Sequence, residues 1–279
     1  MHNLLRTLVY DNQVSLTLAD VTAMAKEGVK LHRLSGGAAS VFAKTLAAMT
    51  FMSACLKNEK GEISLAVKSD GTGGDIGVSG NFALALRGYI SNAEAVGDER
   101  TVFGQNGALT IIRDDGYYMP FVGSCAIKEG SVDKSFEEYF AISEQLPTRM
   151  KTSVEFDESG EIAFCGVAVL QPLPFADEKT LEKVNAVPLD KVLCTLAEKG
   201  VTACAENWFA CDKGVWEERE AVYKCNCSRE YVSRVIVSLG KAQTDEIIRD
   251  EGAVRVHCHY CNTDYEFNEE DAKRIFEKA

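Results

Sequence analysis

The sequence predicts an α+β fold: a β-rich N-terminal core with packed helices, a helical linker and a small C-terminal domain. Short runs of β-branched and aromatic residues, separated by Gly, Asn and Asp, predict strands across much of residues 61–170. The segment 36–57 is apolar on nearly every side and therefore predicts a helix buried in the core. Paired cysteines after residue 224 indicate a separate small domain, because so short a segment seldom folds on apolar burial alone.

The N-terminal core begins with two predicted strands within residues 3–18, joined by a turn at residues 11–12. Asp20 is placed to cap the helix that precedes the long apolar one. A further helix is predicted over residues 133–147, where a proline ends it. The other predicted strands of the core are ISLAVKSD, ALALRGYIS, ALTIIRD, MPFVGSCAI, KTSVEF and IAFCGVAVL.

The Gly-rich stretch 71–80 is predicted as a connection between strands. It lacks the GxxxxGK[ST] pattern of a phosphate-binding loop, and a strand rather than a helix follows it. The core also shows no arrangement of Ser, His and Asp, or of Cys and His, typical of nucleophilic catalysis. We therefore expect a protein that is not an enzyme and uses no nucleotide.

Three domains are expected: an α+β core at 1–176, a linker at 177–224 and the cysteine-containing domain at 225–279. The linker is predicted to hold short helices at 177–186, 188–199 and 202–209. A charged run from Trp216 follows them. This composition is typical of a segment that is only marginally stable without its neighbours.

Charge excludes two classes of partner. The chain carries 30 basic and 42 acidic residues, a net charge of -12 at pH 7. General nucleic-acid binding needs a basic face, and docking on anionic membranes needs a basic surface. From residue 177 onward 15 basic residues face 21 acidic ones, so the C-terminal part does not offer that face either. We expect neither nucleic acid nor membrane as a partner.

The meaning of the cysteines depends on the cellular compartment in which the protein folds. The first twenty residues show no continuous apolar region typical of a signal peptide, and Lys44 interrupts the most apolar stretch, so we expect a cytoplasmic protein. Structural disulfides are rare in that reducing compartment, where clustered cysteines more often bind metals or do redox chemistry. The sequence contains 10 cysteines. Four of them are expected to be small buried apolar residues: Cys55, Cys125, Cys165 and Cys194.

Cys204 and Cys211 lie in a more polar stretch, and their role stays open. The last four cysteines follow the pattern C-x-C-x30-C-x2-C, formed by Cys225, Cys227, Cys258 and Cys261. Two tight pairs supply four thiolates for a tetrahedral site, and zinc suits such a ligand set. The sequence therefore predicts one Zn²⁺ held by these four residues. Because all four positions are filled, no place remains for catalytic water.

The segment between the two pairs explains how they meet. Ser228 can cap a helix that ends before Gly240, and a second helix begins at Thr244. A strand then leads into the second cysteine pair, a return strand ends at Phe267, and a last helix follows. We expect a compact helix–helix–hairpin–helix domain that unfolds without its metal, since structural zinc contributes about 10–16 kcal/mol of apparent binding free energy in comparable peptides.

Spacing leaves two roles for the zinc open. In one, the site is a constitutive zinc ribbon with a purely structural metal. In the other, oxidation closes disulfides between Cys225 and Cys227 and between Cys258 and Cys261, which removes the thiolate ligands and the domain's folding energy. A third possibility is a thiol–disulfide oxidoreductase, but that chemistry favours CxxC at a helix N-terminus, whereas a strand is predicted after Cys261.

The motifs resemble the thirty-three-kilodalton heat-shock protein family of redox-regulated holdase chaperones. The resemblance covers Cys225-Asn-Cys-Ser-Arg-Glu, the second cysteine pair and the Tyr265-x-Phe267 that follows. In the core it covers Leu86-Arg-Gly-Tyr, the run from Tyr139 to Thr148, and Gln171-Pro-Leu-Pro.

This resemblance implies an ATP-independent chaperone of the stress response that is inactive, monomeric and zinc-bound when reduced. Oxidation then forms the two disulfides and releases zinc. The linker and C-terminal domain unfold, the chain forms a homodimer, and apolar surface binds unfolding client proteins. The resemblance does not say which residues contact the client.

Overall fold

The computed structural model describes residues 3–117, 119–209 and 217–277. Contacts divide the chain into two compact units, Met1–Lys224 and Cys225–Ala279. Helices and sheets occur in both units, which confirms the predicted α+β fold. None of the helices in the described ranges is long and apolar enough to cross a membrane. The proposed division of the first unit into core and linker stays a prediction.

Two sheets form the frame of the first unit. The first sheet contains β1 (Leu4–Val9), β2 (Val14–Asp20), β8 (Arg149–Phe156), β9 (Ile162–Pro172) and β10 (Glu217–Arg219). The second contains β3 (Glu62–Ser69), β4 (Ile76–Asn81), β5 (Ala85–Ile90), β6 (Gly107–Asp114), β7 (Phe121–Ala126) and β11 (Val222–Tyr223). The described strands lie in the orders β10-β1-β2-β9-β8 and β11-β5-β4-β3-β6-β7. Neighbours are antiparallel except for β11 and β5.

The helices of this unit are α1 (Thr22–Leu31), α2 (Gly36–Ala54), α3 (Glu99–Phe103), α4 (Val132–Tyr139), α5 (Glu178–Ala186) and α6 (Leu189–Phe209). Helix α2 is the predicted buried helix. It packs against strands of both sheets, and its side chains belong to one large apolar cluster with β3–β6 and β9. Its one charged residue, Lys44, is neutralised by Glu99 at 2.5 Å. The predicted helix 133–147 is shorter: α4 passes into a π-helical turn at Phe140–Glu144.

The prediction for the Gly-rich stretch was wrong in part, because residues 76–81 form strand β4. Two of its glycines sit where a side chain has no room. A Cβ on Gly80 would lie 2.2 Å from the Ser53 hydroxyl of α2, and one on Gly77 would lie 2.4 Å from the Tyr89 ring. Glycine is thus used here for close packing within a strand and not to form a loop.

The first sheet is buried on both faces. One face packs on the α2 side, and the other packs beneath α5 and α6. These two helices match the predicted linker helices. Helix α6 is interrupted at Gly200, whose φ of 78° is incompatible with a continuous α-helix. The second face and the two helices share one apolar cluster. The sheet contributes Leu5, Val9, Val14, Leu16, Leu18, Phe164, Ala168 and Leu170. The helical segment contributes Val184, Val187, Leu189, Val192, Leu193, Leu196, Val201, Cys204, Ala205 and Phe209.

The charged run after the linker helices is not a solvated connection in its described part. Residues 217–219 form β10 and pair with β1, and the Arg219 guanidinium donates to the Phe82 carbonyl and covers that ring. Trp216, where the run begins, lies outside the described residues. Pairing with β1 and the contact of Arg219 with Phe82 thus attach β10, which has no apolar side chain, to the core.

The linker ends in a buried anchor. Tyr223 of β11 is 7% exposed, and its hydroxyl lies 2.9 Å from His32 Nε2 and donates to the Gly88 carbonyl at 3.0 Å. A Cβ on Gly28 would lie 2.8 Å from the Tyr223 ring, so the absence of a side chain there makes room for it. The chain is therefore fixed to the first unit two residues before Cys225.

The second unit has the predicted helix–helix–hairpin–helix order: α7 (Arg229–Leu239), α8 (Lys241–Glu251), β12 (Val254–Cys258), β13 (Thr263–Phe267) and α9 (Glu269–Glu277). Helix α8 begins three residues before the predicted Thr244. The hydroxyl of Thr244 donates to the Gly240 carbonyl at 2.9 Å, so this residue lies within the first turn and does not cap it. The buried apolar cluster of this unit contains Val232, Ile236, Val254 and Phe267, and Ala253 and Ala272 are also buried.

Candidate metal centre

The first cysteine pair lies immediately before α7. Ser228 is the N-cap of that helix and accepts a hydrogen bond from the Tyr231 amide at 3.1 Å. An extended backbone at the N-cap turns the chain out of the helix axis, so Cys225 and Cys227 precede the helix rather than lying on its face. The predicted cap of α7 and its end at Gly240 are both confirmed.

The second pair lies at the tip of the β12–β13 hairpin. Cys258 is the last residue of β12 and faces Thr263 across the hairpin. The Cys261 amide donates to the Cys258 carbonyl at 3.2 Å, and Asn262 takes a left-handed φ of 50°. This tight turn brings both sulfurs to one side of the tip.

The four sulfurs converge. All lie within 4.8 Å of one another, and each cysteine is half-buried. Two contacts join the pairs, Cys225 Sγ to Cys258 Sγ at 3.8 Å and Cys227 Sγ to Cys261 Sγ at 3.1 Å. A tetrahedral Zn²⁺ with Zn–S bonds of ~2.3 Å requires sulfur–sulfur edges of about 3.8 Å. The donor set and its spacing therefore fit a metal ion of the zinc type.

The surroundings of the cysteines shift the pKa values of their thiols in different directions. Burial raises the pKa of the Cys225 and Cys258 thiols. At Cys227 burial acts in the same direction, but hydrogen bonds from Tyr265 and from the neighbouring thiols outweigh it and lower the pKa to about 7. The Tyr265 hydroxyl thus favours the thiolate form of Cys227, which is the form that ligates a metal.

Side chains around the cluster orient the hairpin. The Tyr265 hydroxyl donates to Cys227 Sγ at 3.2 Å. His257 Nδ1 lies 2.7 Å from an Asp264 carboxylate oxygen, and the His257 ring packs edge-on against His259. The four-cysteine cluster identified among the described residues includes neither histidine, as the sequence predicts.

Arg229 connects the two sequence motifs of this unit. Its guanidinium lies 4.2 Å from the centroid of the Phe267 ring and forms an ion pair with Asp271 at 2.8 Å. Arg229 belongs to the motif of the first cysteine pair, while Phe267 follows the second pair. The contact holds α7, β13 and α9 together behind the cluster, where the apolar core is small.

The scattered cysteines have other surroundings. Cys125, Cys165 and Cys204 are buried and Cys55 is partly buried, but Cys194 is exposed, so the expectation for Cys194 was wrong. Burial raises the pKa of Cys204 to about 12, and its thiol donates to the Val192 carbonyl at 3.3 Å. Cys204 is thus a packing residue of the linker. Cys211 lies outside the described residues.

The chain is similar to known proteins over nearly its whole length. A family model described as "Hsp33 protein" matches residues 2–268. The chain belongs to the Hsp33 family. The 33 kDa chaperonin of Bacillus cytotoxicus is 30% identical over 290 residues, which cover 98% of this chain and 98% of that protein. The 33 kDa chaperonin of Clostridium perfringens strain SM101 is 30% identical over 292 residues, 99% of this chain and 91% of that one.

The fold agrees with the same family. The crystal structure of the Thermotoga maritima 33 kDa chaperonin, an Hsp33 homologue, superimposes with a TM-score of 0.83 at 24% identity, covering 99% of this chain and 98% of that one. The resemblance that the sequence motifs predicted is therefore confirmed, and the chain is a member of a chaperone family.

Sequence reasoning missed the role of Tyr265. The Tyr-x-Phe motif contributes to the family resemblance but assigns no role to its first residue. A signal was available, because Thr263, Tyr265 and Phe267 alternate along β13 and must share one face of the hairpin. Phe267 packs in the core, so that face also carries Tyr265 toward the interior of the unit.

Proposed function

We propose that this protein is a redox-regulated, ATP-independent holdase, inactive when reduced and zinc-bound. The observation that carries the proposal is a four-thiol cluster placed in a unit with only a small apolar core of its own. Family membership supplies the chaperone class. The cluster supplies a way to couple oxidation to the folding of one unit.

In the reduced state Cys225, Cys227, Cys258 and Cys261 hold one Zn²⁺. The bound ion supplies a cross-link between the segment before α7 and the tip of the hairpin. Residues of the chain do the rest: Ser228 caps α7, and Arg229 ties α7 to β13 and α9. Without the cross-link, so small a buried apolar cluster is insufficient to keep a unit of this size folded.

An oxidant such as hydrogen peroxide acts on the thiolates. One thiolate attacks a peroxide oxygen, the S–O bond forms, the O–O bond breaks, and hydroxide leaves. A second thiolate attacks the resulting sulfenic sulfur, the disulfide forms, and a second hydroxide leaves. We propose the pairs Cys225 with Cys227 and Cys258 with Cys261. All four sulfurs lie within 4.8 Å of one another, so each thiolate is close to its proposed partner.

The linker then determines what is exposed. Helices α5 and α6 cover an apolar face of the first sheet that includes Leu16, Leu18 and Leu170. The chain that follows them is attached through the short strands β10 and β11, the second of which ends directly before the cluster. Unfolding of the second unit then extends along the chain through these short strands into the linker. Detachment of the linker uncovers apolar surface on the sheet and on the two helices, and this surface binds unfolding proteins.

We also propose a cytoplasmic location and a homodimer in the oxidised state. A cytoplasmic location provides the reducing state in which the thiols persist. Newly exposed apolar surface favours a homodimer over the reduced monomer. The net charge of -12 keeps complexes with clients soluble and disfavours nucleic acid as a partner.

The test measures light scattering of a thermally unfolding client protein, with the chain supplied either reduced and zinc-loaded or treated with peroxide at mild heat. We expect suppression by the oxidised form alone. A Cys194→Ser variant, which lacks an exposed thiol outside the cluster, should behave like the unmodified chain. Equal suppression in both states would contradict the switch and favour a constitutive zinc ribbon with a structural metal.

A further inference from the structure

The edge strands of the first unit differ in how well they are protected from pairing with another chain. Within its described residues, these strands are β10 and β8 in the first sheet and β11 and β7 in the second. An edge strand presents unpaired amides and carbonyls to any extended segment, so proteins shorten such strands, place charges on them or cover them. Strand β10 has three residues, all of them charged, and β11 has two. Both are poor templates for a further strand.

Strand β8 is covered by side chains of α4. The Met150 amide donates to the Glu137 carboxylate at 2.9 Å, and the Thr152 amide donates to the Asp133 carboxylate at 3.0 Å. These carboxylates occupy the place that the carbonyls of a further strand would take. The strand also contains basic and acidic side chains, and its pairing with β9 shifts register near its end.

Strand β7 shows none of these features. Its sequence, FVGSCA, has no charged residue, and all six residues pair with β6 without a register shift. The Ile127 amide donates to the Gly107 carbonyl at 3.1 Å. Because bonded and non-bonded pairs alternate between antiparallel strands, the main chains of Val122, Ser124 and Ala126 point away from β6. No hydrogen bond to these outward groups occurs within residues 3–117, 119–209 and 217–277.

The side chains leave the same edge accessible. Val122 is 60% exposed and lies opposite Ile112 of β6, which is also exposed. Helix α4 packs on the other face of β7, since a Cβ on Gly123 would lie 2.8 Å from the Tyr139 ring. The strand is thus supported from one face, while its solvent face offers an apolar side chain next to the unpaired main chain.

We propose that β7 is a docking strand that binds extended, uncharged segments of unfolding proteins by strand addition. The inference deepens the proposed function and rests on it for the identity of the partner. Main-chain hydrogen bonds at residues 122, 124 and 126 recognise any extended backbone, which suits clients that share no sequence. Val122 adds a preference for an apolar side chain beside it. Segments of about six or seven uncharged residues with high β-propensity fit this edge, and unfolding exposes them.

This edge is separate from the apolar surface beneath the linker. Strand β7 belongs to the second sheet, whereas α5 and α6 cover the first. The edge is open while the described cysteines are free thiols. Pairing with one strand is weak in water without a large apolar face. Retention of a client therefore still requires the surface that oxidation uncovers, and the reduced chain stays inactive as a holdase.

The experiment uses the full-length, reduced and zinc-loaded chain with a synthetic peptide as the probe. The peptide has about nine residues, in which Val alternates with Thr and a Lys at each end keeps it soluble. Its Kd is measured by chemical-shift titration, and amide hydrogen exchange is then followed by NMR with the peptide at about ten times that Kd. The control peptide is N-methylated at two adjacent central residues, so that each of its edges loses one donor.

We expect the amides of Val122, Ser124 and Ala126 to exchange about ten-fold more slowly with the peptide bound. The amides of Gly123 and Cys125 already face β6 and should change little. The N-methylated peptide should bind at least about ten-fold more weakly, since it loses main-chain hydrogen bonds and adds bulk at each edge. Unchanged exchange at the three outward amides, or equal binding of the two peptides, would overturn the proposal.

Two variants test the site from the side of the protein. Val122→Lys places a charge on the edge and should weaken peptide binding about five-fold. Ala66→Lys is the matched control, because Ala66 is exposed on the inner strand β3 and aligns with Thr110 of β6, which in turn aligns with Ser124. It should change the Kd by less than a factor of two. Equal weakening by both variants would show a general charge effect and contradict the edge assignment.

A second copy of the chain is the other occupant that the test can detect. Protection of the same amides that grows with protein concentration, in the absence of peptide, would assign the edge to self-association and overturn the proposal. None of these measurements uses oxidant or a client protein. Strand addition at β7 could therefore stand while the light-scattering test fails, or fail while the redox switch stands.

Discussion

The two units of this protein are each stabilised by a different kind of interaction. The first unit buries dozens of apolar side chains in two clusters on either side of one sheet. The second buries Val232, Ile236, Val254 and Phe267 and gathers four cysteines at one end. Apolar burial is insensitive to redox state, whereas thiolate ligation is lost on oxidation. The comparison teaches that the four cysteines that could hold a metal lie in the unit with the smaller apolar core, where a metal would contribute most to stability.

The largest effect is expected from removing half of the ligand set. Cys225→Ser together with Cys227→Ser should abolish tight zinc binding and unfold the second unit, because about 10–16 kcal/mol of apparent metal-binding free energy is lost. Zinc content and limited proteolysis check this in reductant. Residues 3–176 should stay resistant while the linker becomes sensitive. Full zinc content with unchanged proteolysis would break the comparison, and Cys194→Ser serves as the matched control.

An effect confined to the first unit is expected from Phe136→Ala. Phe136 is fully buried in the larger apolar cluster, so truncation should cost about 3–5 kcal/mol of unfolding free energy. Urea denaturation followed by circular dichroism measures it. Phe175→Ala provides the control, since this ring is 68% exposed. If zinc affinity fell in step with Phe136→Ala, the two units would not be energetically separate.

A pH effect is expected from Asp133, which is buried on α4 and accepts hydrogen bonds from the Thr152 amide and hydroxyl. Burial, with some contribution from Glu99, raises its pKa to about 6 against the opposing effects of Thr152, Lys44 and Lys151. The folded state thus holds the proton more tightly than the unfolded chain, whose Asp pKa is ~3.9. The stabilisation by protonation is complete below about pH 4 and is lost as pH rises through about 6.

Between pH 7 and pH 4 the unfolding free energy of the first unit should therefore rise by about 2–3 kcal/mol relative to Asp133→Asn. Denaturant titrations at several pH values measure the difference. Asp245→Asn, an exposed carboxylate of the second unit, should leave the profile unchanged. A profile for Asp133→Asn identical to that of the unmodified chain would show that the carboxyl does not titrate in this range.

The smallest expected effect sharpens the comparison at the end of the first unit. Tyr223→Phe removes the hydroxyl that contacts His32 and Gly88 and should cost about 1–2 kcal/mol. The loss should be local, raising amide hydrogen exchange in residues 217–224 about ten-fold. Tyr117→Phe, at an exposed position, is the control. Unchanged exchange would show that Tyr223 does not anchor the linker.

Much of the fold could be predicted because its signals are local. Ser228 and Gly240 mark the ends of α7, and the apolar segment around Lys44 has no polar face that could be exposed to water. Strand β4 could not be predicted in the same way. Gly77 and Gly80 are unfavourable in strands unless a neighbour occupies the space, and that neighbour, Ser53 for Gly80, is far away in sequence. Strand β10 was missed likewise, because its partner β1 is at the other end of the chain.

The sequence by itself determined which residues make the candidate metal centre, since four cysteines in two tight pairs need only a hairpin and a helix cap to meet. Tertiary structure alone decided that the Tyr265 hydroxyl donates to Cys227. It also decided that the linker helices cover an apolar sheet face. The reason is physical: ligand identity depends on residue type and spacing, whereas hydrogen bonds and burial depend on distances between segments that the chain order does not contain.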